Sequence, residues 1–236
     1  MKLDFTAQRM LAVVAHPDDV ELLCAGTLAR AMADGAVIGM CSICRGEKGG
    51  AGDARRDLAA QRKQEFSQAA KVLDAAPFFA DVPDGTLTDS EANRRKLIQI
   101  YRRFRPTIVL AHSPDDYHAD HRAAAALAES ASWFACSAGH RTRQKPLAEP
   151  PAVLWMDTIN MLGFEPGFYI DISDYLAIKE QMLRCHQSQL QRGSDSDFEP
   201  LLDMMIRQAT ARGAQAGVAA AEAYRIHPAW KRVRAW

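Results

Sequence analysis

Two short segments of the sequence concentrate side chains that bind metal ions and transfer protons. The first begins at His16 and reads HPDDVE, and the second begins at His112 and reads HSPDDYHADH. Imidazole and carboxylate groups are zinc ligands, and a catalytic zinc site uses three protein ligands with one position open to water. The two segments therefore indicate one shared metal site, provided that the fold brings them together.

Each polar segment follows an apolar run that predicts a buried strand of a parallel sheet. The runs cover residues 10–15 and 107–111, and strands buried on both faces have this continuous apolar character. In open α/β sheets, ligands bind beyond the carboxyl ends of the strands. The simpler alternative, that Asp18 and Asp19 only cap the following helix, leaves His16 and the second segment unexplained.

The rest of the chain alternates predicted strands and helices. This alternation predicts an α/β fold with a mostly parallel sheet, and no linker divides residues 1–236 into more than one domain. The further predicted strands are 37–44, 78–82, 152–158 and 168–171, and the predicted helices are 21–34, 54–74, 91–105, 119–133, 175–191, 201–215 and 217–223.

Two loops have distinctive compositions. The loop 45–52 is rich in glycine and follows a predicted strand, so it is either a flexible connector or a polar wall of the site. It lacks the spacing of a phosphate loop, and the first strand lacks the glycine fingerprint of a dinucleotide-binding oxidoreductase. The loop 137–151 is basic and contains proline, and it has no assigned role at this stage.

The composition excludes several classes of function. The chain has 29 Lys+Arg and 29 Asp+Glu residues, so its net charge points neither to nucleic acid nor to an anionic membrane as partner. Cys41 and Cys44 form a C-x-x-C inside a predicted strand, which favours buried small side chains over a redox or zinc motif. No signal sequence or membrane-spanning apolar run is present. We therefore expect a cytoplasmic protein.

These motifs resemble the PIG-L/LmbE family of zinc-dependent N-deacetylases. Residues 15–21 match the family's AHPDDxE motif, and residues 118–121 match its H-x-D-H motif. Weaker similarities cover much of the remaining chain, and the combination of the two polar motifs is specific. These weaker matches are Arg62 with Glu65 as R-x-x-E, Asp84 in a D-G turn, and Lys179 with residues 186–189 as K…H-x-S-Q.

The resemblance implies a Rossmann-like three-layer fold of the LmbE type, without a bound dinucleotide. It also implies that His16, Asp19 and His121 are the zinc ligands. Asp18 is then the general base, and His118 is the electrostatic or acid partner.

The residue types are consistent with these roles on physical grounds. Asp18 neighbours a ligand, so it can reach the attacking water without binding the metal. His118 and His121 are spaced i, i+3 and share one face of a helical turn. Asp120 is a plausible acceptor for a histidine N–H, which would fix the tautomer of that imidazole.

Other polar residues leave alternatives open. His112 is the rival for the third ligand position, because it follows a strand directly, as His16 does. Asp115 and Asp116 are expected to be turn residues. Arg62 is either a substrate contact or a solvent-facing helix residue. Asp84 is either an acceptor for a sugar hydroxyl or a turn residue chosen for local reasons.

We therefore expect a hydrolase that removes an acetyl group from an N-acetylated amino sugar, such as N-acetylglucosamine, or from a glycoconjugate. The expected cofactor is one Zn²⁺ ion, with Fe²⁺ and Mn²⁺ as alternatives. Two other functions stay open, namely an amidase that cleaves a larger glycoconjugate amide and a metal- or carbohydrate-binding module without turnover. The resemblance also makes a homo-oligomer plausible.

Overall fold

The computed structural model describes residues 4–50, 57–191 and 200–228. These residues contain seven strands and eight α-helices in an alternating order, with a 3₁₀ turn at Ser173–Tyr175. The strands are β1 (Arg9–Val14), β2 (Val37–Cys44), β3 (Ala76–Val82), β4 (Ile108–Ala111), β5 (Ala152–Met156), β6 (Phe168–Asp171) and β7 (Ala221–Ile226). The helices are α1 (Asp19–Leu23), α2 (Ala25–Ala33), α3 (Leu58–Val72), α4 (Glu91–Phe104), α5 (Ala119–Phe134), α6 (Leu176–Leu183), α7 (Gln187–Leu190) and α8 (Leu201–Ala216).

The seven strands form one sheet in the order β3-β2-β1-β4-β5-β7-β6. The first five strands are parallel, and β7 is antiparallel to both of its neighbours. β1 lies at the centre between β2 and β4, and Val13 is in register with Ala111 of β4. The carboxyl ends of β1 and β4 are therefore adjacent, which brings the two polar segments together.

Apolar side chains cover both faces of the sheet, which gives the three layers that the sequence predicts. On one face, β1 packs through Met10, Ala12 and Val14 into a cluster that includes residues of α1, α2, α3, α6 and α8. On the other face, Leu11 and Val13 join a cluster that includes α4 and α5. Burial on both faces explains why β1 is a continuous apolar run.

Local sequence signals account for several helix boundaries. Ser90 caps the start of α4, where its hydroxyl accepts a hydrogen bond from Asn93 N (3.3 Å). Arg105 ends α4 in the left-handed region at φ 60°, directly before Pro106. None of the helices in the described part of the chain combines the length and apolar character that a bilayer span requires.

Three predicted helices differ in the structure. The predicted helix 21–34 is divided into α1 and α2 at Cys24, and the predicted helix 175–191 is divided into a 3₁₀ turn, α6 and α7. The prediction of a helix over 217–223 is wrong, because α8 ends at Gly217 with φ 73° and β7 begins at Ala221. The start of the predicted helix at 54 lies outside the described residues, as do residues 51–52 of the glycine-rich loop.

Candidate metal and hydrolytic site

The turn between β1 and α1 is tight and has an unusual backbone at Asp18. Asp18 is a buried residue with φ 121°, a region that residues other than glycine rarely adopt. Although Asp18 precedes the first residue of α1, its side chain makes no capping hydrogen bond. The capping role is therefore not observed, and local strain of this kind is typical of functional sites.

A buried arginine holds the side chain of Asp18. Arg62 Nη2 of α3 lies 2.9 Å from Asp18 Oδ1 and also donates to the carbonyl oxygen of Pro17. Arg62 Nη1 donates to the carbonyl oxygen of Gly46 (3.1 Å), so one guanidinium group connects the β1–α1 turn with the glycine-rich loop. Burial raises the pKa of Asp18 above its ordinary value, although the positive charge of Arg62 opposes this shift. A buried carboxylate with a raised pKa suits a general base.

Asp19 lies between the two imidazoles that the sequence predicts as its fellow ligands. Its Oδ2 accepts a hydrogen bond from the backbone N–H of His16 (2.7 Å) and lies 3.4 Å from His16 Nδ1. Its Oδ1 lies 3.5 Å from His121 Nε2. The fold thus brings His16, Asp19 and His121 together from the ends of two neighbouring strands.

A carboxylate lies behind each of these imidazoles. His16 Nε2 donates to Asp120 Oδ2 (3.2 Å), and the same oxygen accepts from the backbone N–H of Gly85 (2.8 Å). His121 Nδ1 lies 3.2 Å from Asp116 Oδ1. Partners of this kind orient metal-binding histidines and fix which ring nitrogen faces the ion. The arrangement leaves His16 Nδ1 and His121 Nε2 on the side of Asp19.

The charges of this cluster favour a cation. Burial disfavours a charged His16, but hydrogen bonds with Asp120 and Asp19 outweigh burial and raise the pKa of His16 to about 10. Burial alone would raise the pKa of Asp19, yet the interactions with His121 and with His112, which include a hydrogen bond to His112, hold that pKa well below its ordinary value. Asp19 and Asp120, whose pKa values are both lowered, therefore stay ionised and attract positive charge, whether it is carried by a proton or by a metal ion.

Several overlapping groups of these side chains could hold a metal ion. Within each group, the ligand atoms lie within 4.8 Å of one another. Among the described residues, the groups are His16–His118–His121, His16–Cys44–Asp120 and Asp19–His112–His121. The predicted ligands His16, Asp19 and His121 share two members with the first group and two with the last. Two imidazoles and one carboxylate fit the preferences of Zn²⁺.

His118 is held as a neutral imidazole at the start of α5. Its Nδ1 accepts a hydrogen bond from the backbone N–H of Asp120 (3.2 Å), which assigns the remaining ring proton to Nε2. Burial and the nearby charges of His121 and His16 lower the pKa of His118. A neutral His118 can therefore donate a hydrogen bond through Nε2.

The rival ligand His112 is fully buried and stacks on His121 with ring centroids 4.0 Å apart. Its Nε2 lies 3.0 Å from the backbone N of Ala15 and 3.2 Å from Asp19 Oδ2. Without a proton, Nε2 accepts from the backbone N–H of Ala15, and with a proton it donates to Asp19 Oδ2. This nitrogen therefore has a protein partner in either tautomer. Burial, together with the charge of His121, lowers the pKa of His112 to about 4, so this imidazole is neutral.

A cavity of about 510 Å³ opens onto these residues, and we call it the strand-end cavity. Polar groups of both strand-end segments, including Asp18 and His118, line one part of it. Apolar side chains of Leu22, Ile159 and Met204 line another part. The cavity has the size and the mixed lining of a small-molecule site.

The sequence matches the model of a known family, "PIG-L: GlcNAc-PI de-N-acetylase", over residues 11–132, just over half of the chain. This match includes both polar strand-end segments. The chain belongs to the PIG-L family. The resemblance that the motifs predict is thereby confirmed.

Several relatives of this PIG-L chain are deacetylases by name. Diacetylchitobiose deacetylase of Thermococcus kodakarensis is 27% identical over 218 residues, which cover 85% of this chain and 80% of that protein. The 1D-myo-inositol 2-acetamido-2-deoxy-alpha-D-glucopyranoside deacetylase of Rhodococcus erythropolis is 31% identical over 61% of this chain and 60% of that protein. A hydratase is also related, since 4-oxalmesaconate hydratase of Pseudomonas putida is 26% identical over 87% of this chain and 80% of that protein.

Solved structures agree with the predicted fold. The conserved protein TT1542 from Thermus thermophilus superposes with a TM-score of 0.81 at 30% identity, covering 97% of both chains. The N,N'-diacetylchitobiose deacetylase from Pyrococcus horikoshii gives a TM-score of 0.82 at 24% identity, covering 94% of this chain and 84% of that chain. The Rossmann-like three-layer fold of the LmbE type is thereby confirmed.

The two predicted substrate residues of this PIG-L chain line the strand-end cavity but also have protein partners. Arg62 binds the β1–α1 turn and the glycine-rich loop, as described above, and it is buried rather than solvent-facing. Asp84 accepts from the backbone N–H groups of Gly46 (2.7 Å) and Lys48 (3.0 Å). These contacts give both residues a role in ordering the wall of the cavity, and a direct contact with substrate stays a prediction.

In the K…H-x-S-Q stretch, Gln189 lines the strand-end cavity, whereas Lys179 lies behind it. Lys179 is buried and forms an ion pair with Glu222 (2.5 Å). Glu222 also accepts from the backbone N–H groups of Gly26 (3.0 Å) and Thr27 (2.8 Å) at the start of α2. This part of the K…H-x-S-Q stretch therefore ties β7 and α6 to α2.

Two further buried contacts join α3 and α7 to the site. His186 Nε2 lies 3.2 Å from Glu21 Oε2, and both side chains are fully buried. Glu65 of α3 accepts from the backbone N–H (2.9 Å) and the hydroxyl (2.6 Å) of Ser188. Glu65 in the R-x-x-E motif thus positions α7 against α3.

Sequence reasoning missed the role of Asp116. The turn prediction is incomplete, because Asp116 is buried, lies behind His121 and accepts from the backbone N–H of His118 (2.8 Å). Its neighbour Asp115 is instead exposed and pairs with Arg225 (2.6 Å). The repeated Asp-Asp doublet after a strand was the available signal, since both carboxylates of the first doublet line the strand-end cavity.

Proposed function

We propose that this chain is a Zn²⁺-dependent N-deacetylase that releases acetate and a free amine from an N-acetylated amino sugar or glycoconjugate. The observation that carries the proposal is the convergence of His16, Asp19 and His121 beside Asp18 in one cavity. Each imidazole has a carboxylate behind it, as metal-binding histidines do. Membership of a family that contains sugar deacetylases supports the same reaction.

The proposed ligands are His16 through Nδ1, Asp19 through Oδ1 and His121 through Nε2. Their donor set suits zinc, although Fe²⁺ and Mn²⁺ accept the same ligand types. When bound, such an ion supplies Lewis-acid activation of water and of the acyl carbonyl. The remaining chemistry falls to side chains of this chain.

Asp18 is the proposed general base. Its carboxylate takes a proton from the attacking water as the new C–O bond forms. It then gives this proton to the leaving nitrogen as the C–N bond breaks, which releases acetate and the free amine. Burial and the contact with Arg62 keep this carboxylate in one place. His118 is proposed to donate through Nε2 to the oxygen on which negative charge develops, as in an oxyanion hole.

The lining of the strand-end cavity fits a sugar amide. The side of the cavity formed by Leu22, Ile159 and Met204 suits the apolar C–H face of a pyranose ring, and the polar side offers acceptors and donors for its hydroxyl groups. A non-catalytic binding module would not need a buried carboxylate beside the ligands. A comparison of N-acetyl substrates with substrates that carry a larger acyl group distinguishes a deacetylase from an amidase of larger amides.

The related hydratase of Pseudomonas putida supports a second candidate, hydration of an unsaturated carboxylate. Such a substrate is anionic, and its binding would need basic side chains in the cavity that have no other partner. The lysine and the arginine that line the described part of the cavity both have protein partners, because Arg62 pairs with Asp18 and Lys48 Nζ donates to the carbonyl oxygen of Asp84 (2.8 Å). This distribution favours a neutral amide over a carboxylate.

The test is a substrate screen with zinc-loaded protein that measures acetate and free amine in the same samples. N-acetylglucosamine, diacetylchitobiose and N-acetylglucosaminides represent the proposed class, and N-propionyl and N-benzoyl analogues represent larger amides. We expect stoichiometric acetate and amine from at least one N-acetyl sugar. A loss of ultraviolet absorbance of conjugated unsaturated carboxylates, without acetate release from any amide, would instead establish the hydratase candidate.

The matched control for this screen is Asp18→Asn, which keeps the shape and removes the base. Turnover that disappears in this variant originates in the strand-end cavity and not in a contaminating enzyme. Equal acetate release by the two proteins would contradict the proposed function.

A further inference from the structure

A second cleft, of about 590 Å³, lies apart from the strand-end cavity, and we call it the arginine cleft. Its lining consists of Arg95 and Gln99 of α4 and of Arg141, Thr142 and Arg143 in the loop after α5. The two cavities share no lining residue, and no carboxylate of the described residues lines the arginine cleft. Three guanidinium groups therefore border one concave surface.

In the part of the chain that the structure describes, no acidic side chain neutralises the three arginines of the cleft. Within the described ranges, Arg95, Arg141 and Arg143 form no ion pair. Arg94, the neighbour of Arg95 on α4, shows the contrast, because it makes two contacts with Asp89 (2.5 and 2.6 Å). Charges of one sign around a concave surface reinforce each other and attract counter-ions.

A buried arginine fixes the loop that forms one side of the cleft. Arg102 of α4 is only 3% exposed and donates to the carbonyl oxygens of Ser137 (2.7 Å) and His140 (2.6 Å). It also donates to the carbonyl oxygen of Ala135 (2.9 Å) and to Thr142 Oγ1 (3.0 Å). A loop held in this way loses little conformational freedom when a ligand binds. The arginines on either side of Thr142 are thus presented on a fixed backbone.

We propose that the arginine cleft binds a compact anion with two linked phosphate groups. Guanidinium groups bind phosphate oxygens through paired hydrogen bonds, and three of them suit a ligand with several negative charges. The ligand is either a free diphosphate or the diphosphate end of a larger molecule. This site is separate from the proposed deacetylation, so either proposal can fail without the other.

The test is titration of pyrophosphate and of adenosine diphosphate into the zinc-loaded protein by calorimetry at low ionic strength. We expect one saturable site whose affinity falls as salt is added. The variant R141Q/R143Q should weaken binding by at least about 10-fold, because charge-assisted hydrogen bonds are lost. Arg95→Gln tests the same site from the side of α4 and should also weaken binding.

The matched control is R30Q/R184Q, which removes the same total charge elsewhere on the surface. It should leave the affinity within about 2-fold, because charges far from the cleft are screened. Equal weakening by both double variants would reduce the binding to general charge attraction and overturn the proposal. An absence of saturable binding to wild type would overturn it as well.

Pyrophosphate also chelates metal ions, so binding at the strand-end cavity needs its own control. His121→Ala removes a proposed metal ligand and should retain pyrophosphate binding with unchanged affinity. Loss of binding in this variant would place the anion on the metal and contradict the proposal. Equal affinity for the two probes would identify a free diphosphate, and tighter binding of adenosine diphosphate would identify the end of a larger ligand.

Discussion

The two strand-end segments contribute to the site in different ways. The turn after β1 is short, and His16, Asp18 and Asp19 all line the strand-end cavity directly. The segment after β4 is longer and supplies both groups that line the cavity and the carboxylates behind the imidazoles. Its Asp116 lies behind His121, whereas its Asp120 lies behind His16 of the other segment.

The lengths of the two connections account for part of this difference. Only residues 15–18 connect β1 to α1, so this turn has little room for supporting groups, and its backbone is strained at Asp18. The connection from β4 to α5, residues 112–118, has room for Asp116 as well as for the cavity-lining His118, and Asp120 follows in the first turn of α5. We therefore expect substitutions in the first turn to remove a step of the reaction and substitutions of supporting groups to give graded losses.

The largest effect is expected for Asp18→Asn. Loss of a general base costs on the order of 10²–10⁴-fold in rate, and the cost rises where one group serves in both proton transfers. The amide keeps the size of the side chain, so zinc content should stay near that of the wild type. The measurement is kcat on the best N-acetyl sugar together with zinc stoichiometry.

A variant Asp18→Asn that is fully metallated and keeps near wild-type kcat would show that Asp18 only shapes the turn. His118 would then be the remaining group for the proton transfers. A folded but metal-free variant would show that Asp18 is itself part of the metal site.

An intermediate effect is expected for the supporting carboxylates. Asp116→Asn and Asp120→Asn should each weaken zinc affinity by about 10–100-fold, because the imidazole that each carboxylate orients becomes less basic and less well placed. Competition with a zinc chelator measures this affinity. The matched control is Asp115→Asn, since Asp115 is an exposed neighbour that pairs with Arg225. If the control loses as much affinity as Asp116→Asn, the supporting role of Asp116 is wrong.

A smaller effect is expected for Asp84→Ala at the edge of the cavity. The variant loses the carboxylate that accepts from Gly46 and Lys48, so the glycine-rich loop is less ordered and kcat/KM should fall by roughly 10-fold, in line with the loss of charge-assisted hydrogen bonds. Zinc content should not change. Unchanged kinetics on the best substrate would leave Asp84 as a turn residue without a role in the reaction.

Much of the fold and of the site could be predicted from the sequence. β1 and β4 are continuous apolar runs because both of their faces are buried, and the polar residues follow them directly. The role of Arg62 was not readable, since an arginine on a helix usually faces solvent, and only the packing of α3 against the β1–α1 turn buries it. β7 was missed because its alanine-rich start has helical propensity, which pairing with β5 and β6 overrides.

The binding of one divalent ion by His16, Asp19 and His121 is tested by the zinc content of two histidine variants. His121→Ala and His112→Ala remove stacked neighbouring rings, so they serve as matched controls for packing. After equal loading with zinc and removal of free metal, elemental analysis should find most of the zinc lost in His121→Ala and retained in His112→Ala. Near-stoichiometric zinc in folded His121→Ala, with loss in His112→Ala, would contradict the assignment and make His112 the third ligand.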